Sequence, residues 1–155
     1  MLRLSRGVTS DAFADAPWLL GGVKTLSYAV NVAALRYAQS QGADDVIFTS
    51  TDGYLLEGPT SGLVIEAADG LWTTPTGTTG ILGSITVSTV FDAAGEDGGK
   101  TSTRLMKRDE VLRAQGAWLL SSVRGVAPIL SVDGHPAPQD EDMTHRLRAW
   151  AGFEN

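Results

Sequence analysis

The sequence contains no cysteine and has only three lysines and two histidines among its 155 residues. The absence of cysteine excludes disulfides, thiolate zinc sites and cysteine nucleophiles. No apolar run reaches the ~20 residues that a membrane-spanning helix needs, and the first residues, MLRLSRGVTSD, lack the apolar stretch and cleavage site of a signal peptide. We therefore expect a soluble, unsecreted protein of the cytoplasm.

The net charge is −6, and the basic residues form no stripe along the chain. This distribution argues against nucleic-acid binding, which depends on clustered positive charge. With 43% hydrophobic and 19% charged residues, the composition is typical of a globular protein rather than a disordered or fibrous one. A chain of this length is expected to form one domain, since domains usually hold ~100 to 200 residues.

Short apolar runs alternate with helical patterns along the chain, which predicts a mixed α/β architecture. The pairs Asp52-Gly53 and Asp69-Gly70 separate apolar runs and predict two hairpins, so we expect a mostly antiparallel sheet. Helices are predicted from Leu26 to Gly42 and over residues 83–99, 108–116 and 141–150, with further strands over 2–5, 117–122 and 127–137.

Three other motif-like features of the sequence predict no functional site. Residues 98–102, GGKTS, imitate the end of a phosphate-binding P-loop, but Ala94 stands where that pattern needs its first glycine, and we predict a turn. His135 lies in a proline-rich turn near Glu141 and Asp142 without metal-ligand spacing, so no metal is predicted. No G-x-S-x-G elbow is present, which argues against a serine hydrolase.

Lys24 precedes a helical pattern, and a lysine at such a place needs a reason. A lysine beside apolar surface loses hydration of its charged form, and this favours the neutral amine that attacks aldehydes. Lys100 and Lys107 are expected to be solvated, which leaves Lys24 as the candidate Schiff-base lysine. The alternative is that its side chain extends along the helix start with the ammonium in water. The apolar residues that follow predict one buried helix face: Leu26, Ala29, Val30, Ala33 and Tyr37.

Four stretches of the chain carry a family resemblance: KTLSYAVNVAAL from Lys24, DGYLLEGPTSGLVI from Asp52, TPTGTTGILGSIT from Thr74 and WLLSSVRGVAPI from Trp118. In order and spacing they resemble the class IV aminotransferases, the fold-type IV pyridoxal-phosphate enzymes. That family includes branched-chain and D-amino-acid aminotransferases and aminodeoxychorismate lyases. The resemblance implies a pseudo-barrel-like, mostly antiparallel sheet with flanking helices, pyridoxal 5′-phosphate as cofactor, a small-molecule substrate and a homodimer.

The resemblance also implies roles for individual residues. Lys24 matches the lysine that bonds covalently to the cofactor and later moves the substrate proton. Glu57 matches the carboxylate that keeps the pyridine nitrogen protonated. Ile85 and Thr86 match the helix start whose N–H groups hold the phosphate, and Ser122 matches a hydroxyl that helps bind it.

Each of these positions also has an ordinary structural explanation. Glu57 could be an exposed glutamate at a strand end, and Ser84 or Thr86 could cap a helix. Ser122, with its neighbour Ser121, could form a strand-end turn. Tyr28 and Asn31 lie in the helical pattern after Lys24 and suit packing or ligand binding equally well.

The chain departs from the family pattern in two respects. Ser84 and Val87 replace a glycine and an arginine of the phosphate segment, and Gly62 stands where an asparagine is frequent. Only 23 residues precede Lys24, whereas family members carry an N-terminal lobe that covers the cofactor. We therefore expect residues 1–155 to be the large, cofactor-binding lobe, with the small lobe absent from this chain.

The short run KTLSY after the lysine resembles the lyase and D-amino-acid aminotransferase branch of the family more than the branched-chain enzymes. The reaction this favours is that of an aminodeoxychorismate lyase, which forms 4-aminobenzoate and pyruvate in folate synthesis. The first alternative is transamination of a D-amino acid or a branched-chain amino acid. The second is a lobe that dimerises without catalysing a reaction.

Overall fold

The computed structural model describes residues 1–153, which form nine strands and three α-helices. In chain order these are β1 (Leu2–Ser5), α1 (Ala29–Ser40), β2 (Val46–Thr49), β3 (Gly62–Ala67), β4 (Gly70–Thr73), α2 (Ile85–Glu96), β5 (Thr101–Thr103), β6 (Gly116–Ser121), β7 (Gly125–Pro128), β8 (Ser131–Val132), β9 (His135–Pro136) and α3 (Glu141–Trp150). Short 3-10 turns lie at Pro17–Leu19 and Glu110–Leu112.

The central sheet has five strands in the order β5-β4-β3-β6-β7. Its neighbours are antiparallel except for β4 and β5, which are parallel. Strands β1 and β2 form a separate parallel pair, and β8 and β9 form a small antiparallel pair. The predicted mixed architecture with a mostly antiparallel sheet and flanking helices is thereby confirmed.

Both faces of the central sheet are buried, because successive side chains of a strand point to opposite faces. Leu63 and Leu119 belong to a cluster that includes Met106 and Ile129. On the other face, Trp118 packs in a cluster with residues of α2 and α3. Helices α2 and α3 therefore cover one side of the sheet. A third cluster joins α1 to the β1–β2 pair: Ala34, Ala38, Val46, Phe48, Leu56 and Ile81.

The two Asp-Gly pairs behave differently. Asp69-Gly70 joins β3 to β4 as predicted, and Gly70 has a φ of +132°, which favours glycine. After Asp52-Gly53 the chain also returns antiparallel to β2 as predicted, since Leu55 bridges Thr49 and the Leu56 N–H donates to the Phe48 carbonyl at 2.9 Å, although the bridges here are isolated and form no regular strand. The predicted turn at GGKTS also needs correction, because Thr101 and Ser102 begin β5.

Helix α1 begins at Ala29 rather than Leu26, and its buried residues are Ala34 and Ala38. The predicted apolar face is wrong for this chain, since Leu26, Val30 and Tyr37 are exposed. The helices predicted over 83–99 and 141–150 are confirmed, whereas the one over 108–116 is only a 3-10 turn. Among residues 1–153, no helix has both the length and the apolar character needed to cross a membrane.

Candidate functional site

Glu57 lies beside β2, and both of its carboxylate oxygens are bonded. Its backbone carbonyl accepts a hydrogen bond from the Phe48 N–H at 2.9 Å, which fixes the main chain. Oε1 contacts the Arg6 guanidinium at 3.1 Å, and Oε2 accepts the Leu82 N–H at 3.1 Å. The side chain is only 14% exposed. Glu57 is therefore a held, nearly buried carboxylate rather than an exposed strand-end residue.

Burial raises the pKa of the Glu57 carboxyl above its ordinary value, since it disfavours the charged form. The Leu82 N–H and the Arg6 charge act in the opposite direction. Both donors favour the ionised carboxylate, which keeps unused lone pairs and can accept a further hydrogen bond. The arrangement thus provides a fixed acceptor for an N–H group of a ligand.

The loop of residues 80–84 leads from this carboxylate to the start of α2. Ser84 caps the helix, because its Oγ accepts the Val87 N–H at 3.3 Å. The first N–H groups of a helix lack partners within the helix. Those of Ile85 and Thr86 make no hydrogen bond within residues 1–153. Two N–H groups at the positive end of α2 are therefore able to bind an anion.

Gly62 allows α2 to begin close to the sheet. A Cβ atom on Gly62 would lie 2.7 Å from Val87 Cγ2 and 3.1 Å from Ser84 Cβ, so a larger residue would displace the helix start. The hydroxyl oxygen of the preceding Ser61 is buried and has no partner within the part of the chain described.

Ser122 lies in the turn between β6 and β7 and is exposed. In the sheet, Leu120 pairs with Gly62, so the end of β6 lies at the same edge as the start of α2. The Ser121 Oγ accepts the Arg124 N–H at 3.1 Å. The hydroxyl that stabilises the turn after β6 is therefore that of Ser121 rather than that of Ser122. The topology therefore places Ser122 directly after the end of β6, at the sheet edge where α2 begins.

Lys24 lies in an irregular segment before α1, and it is exposed. The expected apolar environment is not formed by this chain, because Val23 and Leu26 are exposed as well. Nearby, the Gly22 N–H donates to the Gly80 carbonyl at 3.0 Å. This bond ties the lysine segment to the same 80–84 loop that contacts Glu57.

Asn31 and Tyr28, whose roles the sequence left open, differ in the structure, and Arg6 is a further residue at the site. Asn31 donates from Nδ2 to the Pro59 carbonyl at 2.7 Å, which joins α1 to the segment after Glu57. Tyr28 is 38% exposed and lies directly before α1. Sequence reasoning did not single out Arg6, because its partner is 51 residues away. The sequence feature that could have pointed to Arg6 is its position directly after β1 and before Gly7.

These groups fit pyridoxal phosphate, the cofactor that the resemblance implies. A primary amine, a fixed carboxylate and two N–H groups at a helix start correspond to its aldehyde, ring nitrogen and phosphate. The carboxylate and the helix start adjoin the 80–84 loop, and the Gly22–Gly80 bond ties the segment that carries Lys24 to the same loop. Among residues 1–153, no group of three or more His, Asp or Glu side chains is arranged to hold a metal ion.

Comparisons with known proteins point to one family. The family model described as amino-transferase class IV matches residues 2–132. A bifunctional aminodeoxychorismate lyase / D-amino acid transaminase of Mycobacterium tuberculosis is 41% identical over 145 residues, which cover 89% of this chain and 50% of that protein. The chain spans half or less of the length of the curated relatives that it matches.

Solved structures agree with the sequence comparison. A fold IV transaminase from Curtobacterium pusillum has a TM-score of 0.89 and 45% identity, covering 97% of this chain and 50% of that one. The PLP-bound form of a hypothetical aminotransferase from Mycobacterium tuberculosis has a TM-score of 0.91 and 38% identity, covering 97% of this chain and 54% of that one.

Proposed function

Because the chain belongs to the amino-transferase class IV family, we propose that it binds pyridoxal phosphate through Lys24 and Glu57 and takes part in catalysis. Ile85, Thr86 and Ser122 bind the phosphate. The observation that carries this proposal is the 3.1 Å bond from the Leu82 N–H to Glu57. It joins the carboxylate to the loop that starts α2, and so links the ring-nitrogen partner to the anion site.

Each residue has a separate task in this proposal. Pyridoxal phosphate, when bound, supplies an electron sink for the carbon next to the substrate amine. The Lys24 amine would bond to the cofactor aldehyde and, once a substrate amine has taken its place, would act as the base that moves the substrate proton. Glu57 accepts a hydrogen bond from the ring nitrogen, and the N–H groups of Ile85 and Thr86 neutralise phosphate charge.

Reductive trapping tests the assignment of Lys24. The protein is incubated with pyridoxal phosphate, reduced with borohydride and digested, and the modified lysine is identified by mass spectrometry. We expect modification at Lys24, with Lys24→Arg as the matched variant that keeps the charge and cannot be trapped there. Modification of Lys100 or Lys107 with Lys24 untouched would contradict the assignment.

For the reaction, we propose cleavage of aminodeoxychorismate to 4-aminobenzoate and pyruvate. The M. tuberculosis relative carries this activity in its name, together with D-amino acid transamination, which is the second candidate here. An elimination would need no second substrate to repeat, whereas a transaminase would stop after one half-reaction until a keto acid arrives. Continuous pyruvate release from aminodeoxychorismate without a keto acid favours the lyase. Conversion of a D-amino acid that stops after one equivalent until a keto acid is added favours the transaminase.

We also propose that residues 18–37 form a surface that another chain or lobe covers, as in a homodimer. Trp18, Leu26 and Val30 are 74%, 101% and 64% exposed, and clusters of exposed apolar side chains usually mark an interface. Sedimentation of the protein and of a Leu26→Ser/Val30→Ser variant tests this. We expect the variant to associate more weakly. A variant that sediments like the parent protein argues against this surface.

A non-catalytic dimerising lobe remains the third candidate, favoured by the exposure of Lys24. Trapping and sedimentation together separate it from the enzyme proposals. Association without any trapped cofactor at Lys24 supports the non-catalytic role.

A further inference from the structure

Arg6 and Glu57 approach each other across β2, and both main chains are anchored to that strand. The Arg6 N–H donates to the Thr49 carbonyl at 2.8 Å, which continues the pairing of β1 with β2. On the opposite side of β2, the Phe48 N–H donates to the Glu57 carbonyl at 2.9 Å. The two side chains therefore meet from fixed backbone positions.

The Phe48 ring also holds the Arg6 guanidinium in place beside Glu57. Arg6 Nη1 lies 3.1 Å from Glu57 Oε1, and the guanidinium carbon lies 5.6 Å from the centroid of the Phe48 ring. Phe48 itself is 3% exposed and belongs to the third core cluster. An aromatic face beneath a guanidinium limits its orientation and adds an attractive contact.

Stability alone does not explain this ion pair. The Arg6 and Glu57 side chains are 27% and 14% exposed, so a carboxylate is held out of water at a place where burial works against its charge. Arg6 is the charged side chain that opposes this effect within the residues described. A pair of this kind gains little net stability, because desolvation offsets the attraction. Its main consequence is local, since it keeps the carboxylate ionised.

We propose that Arg6 is a positioning residue. It keeps the Glu57 carboxylate ionised and fixes its orientation, so that the carboxylate accepts a hydrogen bond from the ring nitrogen of the cofactor. This rests on the proposed function. A proton shared between a carboxylate and a ring nitrogen stays on the stronger base. The Arg6 charge weakens the carboxylate as a base, and the proton therefore stays on the ring nitrogen. Without Arg6, the proton shifts toward Glu57 and the electron sink weakens.

The first arm of the test needs no cofactor. The titration of the Glu57 carboxyl carbon is followed by ¹³C NMR in protein labelled at glutamate, with Glu57→Gln used to assign the signal. We expect Arg6→Gln to move the titration midpoint upward and Arg6→Lys to restore most of the parent value, because lysine keeps the charge. The matched control is Arg3→Gln, since Arg3 lies on β1 and pairs with Asp133 at 2.6 Å. It should leave the Glu57 midpoint unchanged.

The second arm uses ¹⁵N-labelled pyridoxal phosphate bound to the same proteins. In Arg6→Gln, the ring-nitrogen signal should move toward its unprotonated position, while reductive trapping at Lys24 persists. Turnover should fall about 10- to 100-fold, as for loss of a charged hydrogen bond, with KM changed much less. Arg6→Lys should recover part of that loss.

The outcomes separate this inference from the proposed function. A Glu57 midpoint that is the same in Arg6→Gln and the parent protein overturns the role of Arg6. If the Glu57 titration midpoint moves in Arg6→Gln but no cofactor is trapped at Lys24 of the parent protein, the proposed function is overturned. Arg6 then controls the ionisation of Glu57 without any role in cofactor binding. Far-UV circular dichroism and thermal unfolding identify a variant that fails to fold, and Arg6→Lys then carries the test.

Discussion

Two regions of the molecule carry similar numbers of apolar side chains, but one region buries them and the other leaves them exposed. In the sheet region, defined as β3, β6 and α2, Val64, Trp118 and Leu119 are at most 1% exposed. In the lysine segment, defined as residues 18–37, Trp18 and Leu26 are 74% and 101% exposed. The sheet region completes its own core. The lysine segment presents apolar surface that this chain does not cover.

The difference divides the candidate site as well. Glu57 and the start of α2 are held by contacts within the chain, through Leu82 and the Ser84 cap. Lys24 is joined to them by the Gly22–Gly80 bond but is exposed. A site that depends on excluded water and fixed dipoles needs both halves enclosed. We infer that one half is preorganised by the chain and that the other depends on whatever covers the lysine segment.

The largest effect is expected from truncating a leucine in the sheet region. Leu119→Ala should lower the free energy of unfolding by about 2 to 5 kcal/mol, because a cavity remains in a closely packed core. The matched change in the lysine segment, Leu26→Ala, should alter it by about 0.5 kcal/mol or less, since its side chain is already in water. Urea denaturation of the monomeric chain measures both. Equal losses would abolish the contrast between the regions.

A smaller effect is expected from the polar contact that fastens α3 to the sheet. Trp118 Nε1 donates to Thr144 Oγ1 at 2.8 Å, and this bond is buried. Thr144→Val keeps the shape but leaves the indole N–H without an acceptor, which should cost about 1 to 3 kcal/mol. Thr144→Ser retains the hydroxyl and should cost less than the valine variant. A valine variant as stable as the parent would show that the bond contributes nothing.

The start of α2 offers a third test within the sheet region. Ser84→Ala removes the cap and should cost about 1 kcal/mol, whereas Ser84→Gly should cost only a few tenths. Urea denaturation compares the three proteins. If phosphate binds through the Ile85 and Thr86 N–H groups, Ser84→Gly should also retain most of the cofactor affinity, measured by absorbance titration. A glycine variant that is less stable than the alanine variant would argue against capping.

The contrast between the regions also explains which sequence predictions succeeded. Asp69-Gly70 formed its hairpin because turn chemistry is local. After Asp52-Gly53, Leu55 bridges back to Thr49 in the same local way, whereas the additional bridge from Tyr54 to Lys107 is a long-range pairing that no local pattern reveals. For α1, periodicity predicted a buried apolar face that includes Leu26, but the helix begins at Ala29 and buries Ala34 and Ala38. Periodicity could not tell a face buried within the chain from one left for another surface, and Val30 and Tyr37 are exposed.

The candidate site shows the same limit. The family and its fold were predicted from four motifs in order and are confirmed, and the cofactor predicted with them is the one bound in a related aminotransferase. The assignments of Lys24, Glu57, Ile85, Thr86 and Ser122 remain predictions, although the structure brings their segments together. Arg6 and Leu82 were missed because their contacts with Glu57 join positions far apart in the sequence. Such contacts depend on how β1, β2 and the 80–84 loop pack, which residue spacing does not encode.

The smallest expected effect concerns Asp52, which ties the loop leading to the lysine segment to the end of β2. Its carboxylate accepts the Ser10 N–H at 2.9 Å and the Ser10 hydroxyl at 2.7 Å. Hydrogen bonds from the Ser50 and Ser10 hydroxyls lower the pKa of Asp52 from 3.8 to about 2. Because the folded-state pKa is the lower one, ionised Asp52 stabilises the fold above pH 3.8, and this contribution disappears as the pH falls toward 2.

Asp52→Asn should therefore make the urea midpoint less dependent on pH between about 4 and 2, with a modest effect because the carboxylate is exposed. The matched control is Asp15→Asn, an exposed aspartate for which residues 1–153 provide no hydrogen-bond donor. Its pH profile should follow that of the parent protein. If Asp52→Asn instead shows the same pH dependence as the parent protein, the hydrogen bonds to Asp52 contribute no pH-dependent stability.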